Sequence, residues 1–168
     1  MYNRFLCYLN FIWYSKNEHG VHSPFIFEYI TQCIYSKKSH SNHKGKDIVL
    51  KSLTYFQCQS ITILPIDLGF EKRVKKIFPS ISPESFSAEL IYLSDCTEEL
   101  LEAYIYGNKG TGNNTVVILE NIYKNKKSAD LWEKVKASEK VTVTVDMFYC
   151  AAIFFRKEQV KEDFKIRI

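Results

Sequence analysis

The sequence predicts a single α/β domain built around a mostly parallel sheet, and three observations lead to that prediction. From about residue 58 onward, short apolar runs alternate with segments of helical periodicity, which is the pattern of strand–helix units. The chain has 168 residues, of which 46% are hydrophobic, and this suffices for a substantial core. No repeat or linker divides it. We therefore expect one domain over 1–168, with an N-terminal helical part (1–57) and an α/β part (58–168).

The helical part is predicted to contain three helices. Ser23 precedes Pro24, and this pair is typical of a helix start because serine caps the first turn and proline needs no hydrogen-bond donor there. Asp47 is taken as the start of the third helix, after a polar loop. The predicted helices span residues 2–14, 23–36 and about 47–56, with the loop at 37–46.

The first of these helices is unusually apolar, with Phe5, Leu9 and Ile12 at helical spacing. It is too short to span a bilayer, so stable membrane insertion is not expected. We favour packing on its own domain. A dimer contact or a membrane-surface helix is the alternative.

Five strands are predicted in the α/β part. Each is a short run rich in β-branched or aliphatic residues, as expected for strands covered on both faces. The last two are separated by only a few residues and are predicted to pair antiparallel. The strands are expected at 60–64, 90–93, 116–119, 141–146 and 151–156, with helices at 68–78, 97–106 and 126–137.

Composition excludes several classes of function. The net charge of +4 is mild and the basic residues are scattered, so no nucleic-acid partner is predicted. The five cysteines are odd in number and form no C-x-x-C motif, which indicates reduced thiols and a cytoplasmic protein. The four histidines lack cysteines at metal-ligand spacing, and we favour surface or capping roles for His19, His22, His40 and His43.

The chain resembles class I S-adenosylmethionine-dependent methyltransferases, and within them a bacterial O-methyltransferase-like group. The resemblance rests on the segment His22-Ser23-Pro24-Phe25 and on the C-terminal part from Val116 through 155–159 to Ile168. It implies a reduced Rossmann-like methyltransferase fold: N-terminal helices and a mostly parallel sheet of about five strands, whose C-terminal strand is antiparallel. In the family's naming the strand order would be 1-4-5-7-6.

The cofactor-binding pattern of that family is altered in this chain. The family carries an acid at the end of the first strand and then a Gly-x-x-x-Gly turn, because glycines let the backbone approach the cofactor closely. Here the acid position holds Ile63 and the first glycine position holds Pro65. Gly69 survives as the second glycine, and Asp67 offers a carboxylate from another place in the turn.

The family's second and third strands have no room in this chain. Only residues 79–88 separate the first α/β helix from the next strand, which is too short for a strand, a helix and another strand. The acid that holds the ribose hydroxyls is therefore absent. The deletion also predicts that 61–64 forms an apolar edge strand, and such edges invite self-association or a protein partner.

Metal-dependent members of the family hold a divalent cation with acids that follow two of the strands. The corresponding positions here are Ser94, with Asp95 beside it, and the pair Glu120-Asn121. Oxygen ligands from Asp95, Glu120 and Asn121 would suit a hard cation that polarises a substrate hydroxyl. Helix-capping and loop roles explain the same residues more simply, and we favour those roles.

The predicted function is that of a degenerate methyltransferase-like protein with a non-catalytic binding or scaffold role and no cofactor. It would form homo-oligomers or bind a protein partner, through 61–64 or through the N-terminal helix. The alternative is an active S-adenosylmethionine-dependent O-methyltransferase with a rearranged site. That enzyme would bind its cofactor through Asp67 and Gly69 and act through Glu120 and Asn121.

Overall fold

The computed structural model describes residues 2–17, 20–84, 87–107 and 110–168, and these form a seven-stranded mixed sheet with helices on both faces. The strands are β1 (Ser60–Leu64), β2 (Ser82–Pro83), β3 (Leu90–Leu93), β4 (Val116–Glu120), β5 (Val143–Asp146), β6 (Cys150–Phe154) and β7 (Glu162–Lys165). The helices are α1 (Arg4–Tyr14), α2 (Pro24–Glu28), α3 (Lys44–Phe56), α4 (Leu68–Ile77), α5 (Glu98–Leu101) and α6 (Lys126–Ala137). Both α2 and α5 continue as π-helical segments, Tyr29–Ile34 and Glu102–Tyr106.

The order of the strands in the sheet is β2-β1-β3-β4-β6-β5-β7. The neighbours β1, β3 and β4 run parallel, whereas β6 is antiparallel to both β4 and β5. The five strands predicted from the sequence are all present, and β1-β3-β4-β6-β5 is the expected order. The predicted antiparallel pairing of the last two is also confirmed.

Two further strands were not predicted, so the expected count of five was wrong. The strand β2 has only two residues and pairs with Ser60 and Ile61. The strand β7 pairs parallel to β5, and charged residues dominate it because it lies at the sheet edge and is only partly buried. Neither carries the apolar run by which the other strands are recognised.

The prediction that β1 is the edge strand was also wrong, because β2 lies outside it. The segment 79–88, which we expected to contain no strand, supplies β2; Ser85 and Phe86 of this segment lie outside the described residues. Ile61 and Ile63 are buried. Beyond β2, the side of β1 borders an apolar groove of about 670 Å³. Association at 61–64 stays a prediction.

The side chains of the central strands alternate between two cores, as the pleat of a strand requires. In β3, Leu90 and Tyr92 face one core, whereas Ile91 and Leu93 face the other. The first core is covered by α2, α3 and α4, and the second by α5 and α6. The helices α2 and α3 therefore share one buried core with the sheet.

The helix α3 begins earlier than predicted. His43 is its N-cap, and its Nδ1 accepts a hydrogen bond from the backbone N–H of Lys46. Asp47 lies inside the first turn, where its carboxylate accepts hydrogen bonds from the backbone N–H groups of His40 and Ser41. The polar loop 39–43 is thus fixed to the helix that follows it. The predicted capping role is confirmed for His43; His19 lies outside the described residues.

The helix α1 packs against the turn between β5 and β6. Phe11 is its one buried residue, and the rings of Tyr8 and Phe11 contact Phe148 with centroids 4.8 and 5.5 Å away. Phe148 has a positive φ of 66°, and its N–H donates to the carboxylate of Asp146 at 2.8 Å. The carboxylate of Asp146 thus holds the turn between β5 and β6. No helix in the described ranges has the length and apolar character needed to cross a bilayer.

Candidate functional site

A polar cleft of about 660 Å³ opens at the carboxyl end of β1. The first turn of α4 forms one wall, and the loop 39–43 with the start of α3 forms the other. In sheets of this kind, ligands bind beyond the carboxyl ends of the strands. Lining residues that bear on function are His43, Lys46, Asp67, Gly69, Phe70 and Arg73.

Asp67 has both carboxylate oxygens engaged. Its Oδ1 accepts the backbone N–H of Phe70 at 2.9 Å, which caps α4, and its Oδ2 binds Lys46 Nζ at 2.6 Å. The hydrogen bond from Lys46, followed by that from Phe70, lowers the pKa of Asp67. The carboxylate is therefore a structural link between α3 and α4.

Aromatic side chains fill the space behind this cap. Phe70 is only 3% exposed and packs edge-to-face on Tyr92 of β3, with ring centroids 5.4 Å apart. The ammonium of Lys46 lies 5.1 Å from the centre of the Phe70 ring, within the range of a cation–π interaction. The ring of Phe70 thus occupies the space between the first turn of α4 and β3.

Glu120 ends β4 and is turned toward the start of α3. Its side chain is buried, and Oε1 lies 3.4 Å from His43 Nδ1. Burial raises the pKa of Glu120, although the neighbouring Tyr92 hydroxyl, His43 and Lys46 act in the opposite direction. Neither Glu120 Oε1 nor the Tyr92 hydroxyl has a hydrogen-bond partner in the part of the chain that is described.

The contact between Glu120 and α3 depends on Gly45. A Cβ placed on Gly45 would lie 1.7 Å from Glu120 Oε1, so only glycine admits the carboxylate in this position. The carboxylate therefore sits at the amino end of a 13-residue helix, where the helix dipole favours negative charge.

The other predicted metal ligands lie apart from the cleft and have their own partners. Asp95 forms an ion pair with Lys124 at 3.3 Å, and the Asn121 amide donates to the backbone carbonyl of Ser94 at 2.8 Å. Of the predicted site residues, Asp67 and Gly69 line the cleft. Among the described residues, no group of three or more His, Cys, Asp or Glu side chains is placed to hold a metal ion.

No family model, curated protein or solved structure matches this chain.

Sequence reasoning missed Lys46, whose ammonium joins Asp67 to α3, and His43, the N-cap of α3, whose Nδ1 lies 3.4 Å from Glu120 Oε1. Both were assigned to an exposed loop because the segment is rich in Lys, Ser, His and Asn. The signal that was missed is the distance in sequence between the two residues. His43 precedes Lys46 by three positions, and this is the separation between an N-cap side chain and the backbone N–H that donates to it. Asp67 is the one carboxylate among the residues that line the cleft, and it is already paired with Lys46.

Proposed function

We propose that this chain is a degenerate methyltransferase-like protein with a non-catalytic binding or scaffold role. The order β1-β3-β4-β6-β5, with one antiparallel strand, supports descent from class I methyltransferases, because the resemblance in sequence implies that order. The observation that carries the proposal is the engagement of Asp67 by Lys46 and by the N–H of Phe70.

A cofactor that used Asp67 would compete with both of these interactions. It would have to displace an ammonium held at 2.6 Å and leave Lys46 without its partner. It would also meet Pro65, which offers no N–H, and the packed ring of Phe70. Glu120 offers no substitute, because its carboxylate faces the start of α3.

The competing candidate is an active S-adenosylmethionine-dependent O-methyltransferase, and one observation favours it. The space above Gly69 is open, since a Cβ there would meet only Asp67 Oδ1, at 3.4 Å. A ligand could approach the first turn of α4 at this point and lie in the cleft of about 660 Å³. Such an enzyme would need Lys46 to move away from Asp67.

Calorimetric titration with S-adenosylmethionine, and separately with S-adenosylhomocysteine, distinguishes the two. We expect no binding heat at ligand concentrations up to the millimolar range. Circular dichroism on the same sample shows that the protein is folded. Micromolar binding of either ligand would overturn the proposal.

A matched variant locates any binding that is observed. Gly69→Leu fills the open space at the first turn of α4 and leaves the Asp67 cap in place. If the wild type binds a ligand and Gly69→Leu does not, the ligand lies in the cleft and the enzyme hypothesis is favoured. Equal binding by both proteins would place the ligand elsewhere.

A further inference from the structure

The side of α1 that faces away from the domain is a continuous apolar surface. Its residues fall at positions i, i+1, i+4 and i+8, which share one side of a helix. They are not covered by any described part of the chain, in contrast to Phe11 on the opposite side. This outer face of α1 consists of Phe5, Leu6, Leu9 and Trp13, with exposed fractions of 65%, 59%, 47% and 83%.

We infer that the outer face of α1 binds the surface of an anionic lipid bilayer. Exposed apolar patches of this kind mark interaction sites, and a helix with Trp, Phe and Leu on one side is suited to the boundary between headgroups and acyl chains. The 11 residues of α1 extend only about 16 Å, roughly half the apolar thickness of a bilayer. The helix therefore lies in the plane of the surface.

The charges around α1 favour an anionic surface. The helix contains no Asp or Glu, and Arg4 lies in its first turn. Lys16 follows the helix, and the Nζ of Lys165 lies 6.0 Å from the ring of Tyr14 in its last turn. Cations thus stand at both ends of α1, where the phosphates of anionic lipids would meet them; the guanidinium of Arg4 lies 5.7 Å from the ring centre of Phe148, at the edge of the helix.

The same charges disfavour a second copy of this chain as the occupant. A two-fold contact through α1 would bring the cations at its two ends, Arg4, Lys16 and Lys165, near those of the other copy. The helix has no acid to neutralise them. Like charges held close at an interface oppose association.

This inference goes beyond the proposed function, since the lipid surface would be contacted at α1 and not at the polar cleft. Because the two sites are different, the lipid-binding test and the S-adenosylmethionine titration are independent of each other. A failure to bind lipid leaves the result with S-adenosylmethionine unchanged, and the reverse also holds.

The test is flotation of the full chain with vesicles of phosphatidylcholine alone or mixed with phosphatidylglycerol. We expect flotation with the anionic vesicles, and its loss at high salt, because the cationic contribution is screened. Tryptophan fluorescence gives a second readout. Trp13 is 83% exposed and Trp132 is fully buried, so a blue shift on vesicle addition reports Trp13 entering the bilayer surface.

Two variants control the test. The double variant Leu9→Ser, Trp13→Ser removes half of the outer face, and we expect it to bind at least about tenfold more weakly. Val160→Ser removes one exposed apolar side chain at a site far from α1 in sequence (78% exposed) and should bind like the wild type.

Three results would overturn the inference: no flotation with anionic vesicles, equal flotation with neutral and anionic vesicles, or unchanged binding by the double variant. Sedimentation of the protein without vesicles tests the alternative occupant, a second copy of the chain. A dimer that the double variant abolishes, in a protein that does not float, would assign the face to a second copy of the chain.

Discussion

At the scale of single residues, Gly45 gives a prediction whose sign opposes helix propensity. Replacing a glycine inside a helix by alanine usually stabilises the helix by about 1 kcal/mol. Here the added Cβ would lie 1.7 Å from the buried carboxylate of Glu120, which must move. We expect Gly45→Ala to lower the free energy of unfolding by about 1–2 kcal/mol, measured by urea denaturation.

A matched glycine serves as the control for this substitution. A Cβ on Gly112 would meet nothing within 4 Å, so Gly112→Ala should change stability by less than about 0.5 kcal/mol. If Gly45→Ala is as stable as the wild type, the contact between Glu120 and α3 is not as described.

Asp67 gives a prediction that depends on pH. The pKa of Asp67 is lowered in the folded protein, so folding favours the charged carboxylate. The carboxylate therefore stabilises the folded state above the pKa of unfolded aspartate, about 3.9. This stabilisation is lost as pH falls through the pKa of Asp67 in the folded state. Asp67→Ala removes the cap of α4 and should cost about 1 kcal/mol at neutral pH. The cost should shrink below about pH 4.

Asp67→Asn separates the cap from the ion pair. Asparagine also caps helices, whereas it cannot pair with the charge of Lys46. The pair is partly exposed, with side-chain exposures of 28% and 37%, and we expect its loss to cost only a few tenths of a kcal/mol. An Asn variant as unstable as the Ala variant, in the same denaturation series, would assign the effect to the ion pair.

At the scale of elements, α1 is held mainly through one residue of the β5–β6 turn. Phe148 contacts Tyr8, Phe11 and Tyr123, and is 4% exposed. We expect Phe148→Ala to cost about 3 kcal/mol and to release α1 from the sheet. Hydrogen exchange measured by mass spectrometry should show faster exchange in α1 than in α6.

Phe5→Ala is the control for that experiment, because Phe5 belongs to the same helix and is 65% exposed. It should change stability by less than about 0.5 kcal/mol and leave hydrogen exchange in α1 unaltered. If exchange in α1 is equally slow in Phe148→Ala, then α1 is held by contacts other than those with Phe148.

The elements also show how far sequence reasoning reached. The strands β1, β3 and β4 were predicted because buried parallel strands are apolar along their whole length. The strand β2 has two residues and β7 is charged, so neither carries that signal. Their pairing is set by the neighbouring strands, and such tertiary effects are not visible in a local pattern.

The candidate site was less predictable than the fold. Asp67 and Gly69 were identified because they fall in the turn after β1, where the family that the chain resembles binds its cofactor, and they do line the cleft. The direction of the Glu120 side chain could not be inferred, since it depends on Gly45, which is distant in sequence and has no side chain. A carboxylate at the end of a strand can face a ligand or a helix. The local sequence around the strand end does not distinguish these two directions.

At the scale of the whole molecule, the shared core predicts one cooperative unfolding transition. The helices α2 and α3 bury Ile26, Val49 and Leu53 in the same cluster as residues of the five strands β1, β3, β4, β5 and β6. Parts that share a core unfold together. The far-UV circular dichroism and the fluorescence of Trp132, measured in a Trp13→Phe variant, should give coincident urea transitions; two separated midpoints would show that 1–57 and 58–168 unfold independently.

The placement of the five free cysteines has a consequence for the chemistry of the folded chain. Cys33, Cys58, Cys96 and Cys150 are buried, whereas Cys7 on α1 is partly exposed. Burial raises the pKa of Cys33, Cys58 and Cys96 to about 12, so these sulfurs remain protonated and unreactive at neutral pH. An alkylating reagent therefore meets one accessible sulfur while the protein is folded. The other four thiols, spread from the π-helical segment after α2 to β6, become reactive only when the region around each one opens.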